Sequence, residues 1–163
     1  MLSHIENQEI LDVVNCAKYW HEVITRKVYI CPTEGSSYSH KRCKYFGMYK
    51  DKSVSVIAEI EAVIDVYSED SAEIGWINGD EDPDFYVKKA TNFALNLRND
   101  LSSKRVFLLK NLKSTDFIKN TNGGMQGSKM YFDVENLNVS DAAELAAKLR
   151  GKTWSEFRNS DEY

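Results

Sequence analysis

Six basic or aromatic residues crowd into Tyr38 to Tyr45: Tyr38, His40, Lys41, Arg42, Lys44 and Tyr45. Cations that hold phosphates, interleaved with aromatic rings that stack on bases, are the two ingredients of single-strand or flipped-base recognition. Trp76, Lys104, Arg105, Lys129 and Tyr131 would share that surface if the later strands lie beside it. The expected ligand set is Tyr38, Arg42, Lys44, Tyr45 and Trp76 around a base, with Lys104, Arg105 and Lys129 as phosphate contacts. The plainer account of the same residues is a loop entering a strand, with solvated charges and half-buried tyrosines.

Other constellations carry less. His40 lies three residues before Cys43, and an imidazole beside a thiol can activate a nucleophile. Alternation, however, puts Cys43 and Tyr45 on an inward face, where the thiol is a small core filler. Glu59, Glu61 and Asp65 project from alternate positions of one segment and could hold a divalent cation. A solvent-facing strand accounts for them equally, and the acid-x-Lys that a metal-dependent nuclease places on a strand occurs nowhere in the chain. The acidic run Glu69 to Asp84 lacks the ligand alternation and closing Glu of a calcium loop. Gly123 to Lys129, GGMQGSK, has the wrong order for a phosphate loop and opens a strand rather than a helix. No catalytic residue, metal or cofactor is expected.

The elements that must position these residues centre on Lys41 to Tyr67. From Val54 through Val66 every even position is apolar, while Ser55, Glu59, Glu61 and Asp65 occupy odd ones. That is a strand with one buried face. Cys43 to Tyr49 is aromatic and strand-like, and Lys50-Asp51-Lys52 supplies a turn, so the pair reads as a long curved hairpin. Its length predicts a bend or bulge.

Before the hairpin, Asn7 to Ile24 spaces its apolar residues at three to four and predicts an amphipathic helix capped by Asn7. Val28 to Cys31 is a short strand stopped by Pro32. After the hairpin, Ile74 to Ile77 forms a further short strand. Asp82 caps a helix with Pro83 in its first position and a stripe of Val87, Ala90, Ala94, Leu97 and Leu101, Phe93 alongside. Lys104 to Leu112 reads as a central strand and Lys113 to Ser128 as a loop. Lys129 to Val134 is a half-buried strand, with Met130, Phe132 and Val134 on one face. Ser140 caps a last helix, Asp141 to Arg150, closed by Gly151. Trp154 and Phe157 fold back onto the body, and 158–163 frays.

The class is therefore α+β: a curved, mostly antiparallel sheet or small open barrel flanked by about three helices, in one domain spanning 1–163. The aromatic strand YFGMY, the following strand running into Ala-Glu-Ile, then a helix and a strand pair resemble the PUA-like barrel superfamily, which includes the PUA, ASCH and EVE modules. The likeness covers about Val28 to Val134. It implies a small barrel that binds RNA or modified bases in DNA without catalysis. The GxKxxExR signature of ASCH domains is absent, so no functional residue is carried over.

The bulk numbers set limits on this reading. A formal net charge of -4 excludes indiscriminate coating of nucleic acid. Three cysteines without metal-ligand spacing fit reduced thiols in a cytoplasm. No stretch is long and apolar enough for a membrane span, so no membrane partner is expected. The alternative reading is a protein-interaction or regulatory domain presenting the acidic Glu69 to Asp84 segment to a partner; a nucleotide-acting enzyme ranks behind both.

Overall fold

The computed structural model describes residues 9–35, 40–123 and 129–157. Eight strands form one sheet: β1 (Ile10–Asn15), β2 (Val28–Pro32), β3 (Tyr45–Lys50), β4 (Ser53–Ser68), β5 (Ser71–Ile77), β6 (Lys104–Ile118), β7 (Lys129–Asp133) and β8 (Lys152–Thr153). The helices are α1 (Trp20–Arg26), α2 (Pro83–Leu97) and α3 (Ala142–Leu149). The fold is α+β as the pattern predicts. The sheet curves without closing into a barrel: its order is β2-β6-β4-β3-β1-β7, with β5 on β4 and β8 on β6. Among the described residues only β1–β3 and β6–β8 pair in parallel.

The long β4 and β6 carry the curvature. Their ladder shifts register between Val54 and Val56, Ile57 and Glu59, and Ile60 and Ala62, and each such bulge bends and twists a strand. The hairpin turn forms at Asp51 and Lys52, both at positive φ (55 and 65), as a two-residue turn matched to strand twist requires. Halfway along β4 the neighbour on one side changes from β3 to β5. Asn78 seals that junction. Its Nδ2 donates to the carbonyls of Cys43 (3.0 Å) and Ile60 (3.1 Å), and Arg42 donates to Asn78 Oδ1 (3.1 Å) and the Ile77 carbonyl (3.0 Å).

The two sheet faces feed three cores. The inward face buries Ile10, Val14, Tyr29, Cys31, Cys43, Phe46, Ile60, Val63 and Phe107. The outer face is covered in two halves: α3 with Trp154 packs on Leu11, Val13, Tyr45, Ile57 and Phe117, and α2 packs on Val28, Ile30, Ile64, Val66 and Val106. Strands β2 and β1 lie towards opposite ends of the strand order yet share the inward core, which requires a strongly curled sheet.

Several expectations are corrected. Ile10 to Asn15 is a strand, not part of a helix; the helical segment is only Trp20–Arg26. β1 lies between β3 and β7 and is buried on both faces, so it reads as a run of apolar residues that also satisfies helical spacing. The Asn7 cap lies outside the described residues. Lys113 to Ile118 continues β6, because the far end of β4 pairs with it; 124–128 lie outside the described residues. Leu101 is exposed beyond the end of α2, and the residue that anchors that helix is Tyr86. Asp141, not Ser140, caps α3, accepting from Glu144 N at 2.8 Å, while Ser140 bonds the Glu144 carboxylate. The cap of Asp82 on α2 forms as predicted, accepting from Asp84 N at 3.0 Å. Trp154 folds back and is fully buried. The expected fraying of 158–163 falls outside the described residues, among which no helix is long and apolar enough to cross a membrane.

Candidate functional site on the inward face of the sheet

Asp12 is an acid in the middle of the apolar run ILDVV, and β1 carries its side chain to the inward face between Phe46 on β3 and Tyr131 on β7. It is wholly buried. His40 Nδ1 lies 2.6 Å from Asp12 Oδ2, and both side chains are almost entirely shielded. With a carboxylate accepting at Nδ1, the imidazole presents Nε2 outward from the pair. Asp12 Oδ1 has no hydrogen-bond partner. The same holds for Trp76 Nε1, on the β5 strand, so the inward face contains a bare acceptor and a bare donor.

Phe107 joins these groups. The His40 ring meets it edge-on at 4.8 Å, Trp76 at 6.2 Å and Tyr29 at 5.8 Å between centroids. Tyr131 closes the far side: its hydroxyl accepts from Lys41 N at 2.9 Å, and Lys41 Nζ stands 4.6 Å over its ring. Burial raises the Tyr131 hydroxyl pKa, with the Asp12 charge adding to it. At the rim, between the end of β1 and strand β2, a cavity of about 390 Å³ is lined by Asn15, Lys18, Tyr19, Tyr29 and Cys31.

The thiols are not poised as nucleophiles. Burial, reinforced by Asp12, pushes Cys16 and Cys43 up, and burial pushes Cys31 up to about 12. Cys43 Sγ donates to the Lys41 carbonyl at 3.3 Å rather than to the His40 ring. Among the described residues no group of three His, Cys, Asp or Glu is placed to hold a metal ion. Of the three strand carboxylates, Asp65 pairs with Arg105, while Glu59 caps the start of α3, accepting from Ala142 N at 2.9 Å.

The structure scatters the expected ligand set. Tyr38 lies outside the described residues. Trp76 reaches the inward face, and alternation puts Arg105 on the face of Phe107 and Lys129 on that of Tyr131. Arg105 grips Asp65 with two hydrogen bonds of 2.8 and 3.0 Å. Lys104 faces the other way, donating to Asp100 Oδ1 at 2.6 Å and Ser102 Oγ at 2.8 Å. Arg42 belongs to the β3–β5 junction, and Lys44 stands 3.4 Å from Glu9. Tyr45 is buried on the opposite face against α3, its hydroxyl unpartnered. Sequence reasoning missed Asp12, Tyr29, Phe107 and Lys18. Only Asp12 left a signal, as a lone acid inside an apolar run.

Comparison of the chain with protein-family models, with curated proteins and with solved structures yields no match.

Proposed function

We propose that this chain is a non-catalytic binding module that takes a planar nitrogen heterocycle, a base of RNA or DNA or a free nucleotide, on the inward face of its sheet. The observation that carries this reading is the pair of buried, unpartnered polar atoms, Asp12 Oδ1 and Trp76 Nε1, on an aromatic-lined face. A buried polar atom left without a partner costs about 1–3 kcal/mol. A ligand bearing an N–H and an acceptor would satisfy both. Stacking surfaces come from Trp76, Tyr131 and Tyr29, and Lys18 at the rim cavity supplies a cation for a phosphate. The raised thiols favour binding over covalent chemistry. The likeness of the hairpin and the helix that follows it to PUA-like modules points the same way, as an analogy of fold.

The test is a fluorescence titration against single-stranded RNA, single-stranded DNA and duplex DNA, with and without modified bases, at low and physiological salt. Saturable binding of one class that survives physiological salt is expected. Trp76→Phe keeps an aromatic ring, smaller than the indole, and removes the N–H; it should weaken that binding about tenfold. Binding of every class that vanishes with salt, or no binding at all, would overturn the reading.

A further inference from the structure

Among the described residues the outer edge of β5 is open: β5 is paired only with β4, and Ser71 to Gly75 are exposed. Its register shifts fall in the ladder with β4, and the strand, SAEIGWI, has neither the lysine nor the proline that usually blunts an edge. Along Ser71 to Gly75 the outward backbone N–H and C=O groups therefore have no strand partner among the described residues. Apart from Arg42 at its Ile77 end, the charge along it has one sign. Glu69, Asp70, Glu73, Asp80, Glu81, Asp82 and Asp84 are all exposed, and no Lys, Arg or His occurs between Ser68 and Val87.

We propose that this edge docks an extended segment of a partner protein carrying lysine or arginine at alternate positions, which adds as a strand beside β5. Main-chain hydrogen bonds to an open edge supply affinity, and alternate side chains supply selectivity. Cations at every second position would meet Glu73 and the flanking acids. A second copy of this chain fits poorly, because pairing β5 with β5 sets these carboxylates against one another. Nucleic acid is repelled by the same charge. The edge is separate from the inward-face site, and the two are tested by different ligands, so either reading can fail alone.

The full chain is titrated at physiological salt with a capped peptide alternating lysine and valine, while amide hydrogen exchange is followed along β5. The peptide is expected to slow exchange in β5 about tenfold, and Glu69→Lys with Glu73→Lys to weaken its binding about tenfold while circular dichroism stays unchanged. A proline-interrupted peptide of the same charge should bind far less. Unchanged exchange in β5, equal binding of the proline-interrupted peptide, or protection of β5 that grows with protein concentration in the absence of peptide would each overturn the proposal.

Discussion

Single buried atoms decide what this protein tolerates. Tyr45 keeps its ring in the core under α3 but leaves its hydroxyl without a partner, and burial raises that hydroxyl's pKa. Removing an unsatisfied polar atom while keeping the ring costs nothing and removes a desolvation penalty. Tyr45→Phe is therefore expected to leave stability unchanged or raise it by about 1 kcal/mol in urea unfolding, and a loss larger than that would mean the hydroxyl has a partner. The thiols give a pH dependence with a definite sign. Cys31 ionises near 9.0 when unburied and at about 12 in the fold, and Cys16 and Cys43 are raised as well. A folded state that holds protons the unfolded chain has lost is fully favoured below the unfolded value and loses that advantage as pH rises towards the folded one. Unfolding free energy should fall between about pH 9 and about pH 12, with a slope of up to about 1.4 kcal/mol per pH unit for each thiol. A Cys31→Ala variant should show a shallower fall; an identical slope would remove this cause.

At the scale of elements, the weak point is the place where β3 ends and β5 begins along β4. Asn78 bridges it together with Arg42, donating to the Cys43 and Ile60 carbonyls and accepting from the Arg42 guanidinium at once. Asn78→Ala strips partners from all three, and we expect it to cost about 2 kcal/mol or more, with amide exchange accelerating first at the junction. Loss of stability without local acceleration would place the damage elsewhere. The junction is also why Arg42, legible in the sequence as a cation beside aromatics, reports on architecture. Its donors are committed to Asn78 and Ile77, a pairing separated by thirty-five residues or more that no local pattern shows.

For the molecule as a whole, β4 and β6 are common property. Ile60 and Phe107 belong to the inward core, Ile57 and Phe117 to the core under α3, and Ile64 and Val106 to the core under α2. No core can be lost while the other two keep their strands. Unfolding should therefore be a single cooperative transition, with tryptophan fluorescence, which reports Trp20 and Trp76 against the inward core and Trp154 in the core under α3, coinciding with far-ultraviolet circular dichroism. Separate midpoints for the two probes would show that the outer cores melt independently.

Period-two alternation from Val54 to Val66, the Asp82-Pro83 helix start and the turn at Asp51-Lys52 are local facts, and local energetics fix their outcome; hence the α+β class, the hairpin and α2 were determined by the sequence alone. β1 was not, because a strand buried on both faces has no alternation to read, and only its insertion between β3 and β7 makes it a strand. The site followed the same division. Trp76 could be picked out by residue type, but Asp12, His40 and Phe107 come together only when the bulged β4 and β6 curl the sheet. The fate of each cation was likewise a tertiary matter, because whether Arg105 or Lys104 is available to a ligand depends on whether Asp65 or Asp100 lies within reach of it. Asp65 reaches Arg105 across the sheet, and Asp100 reaches Lys104 only once the loop after α2 has folded back to the start of β6.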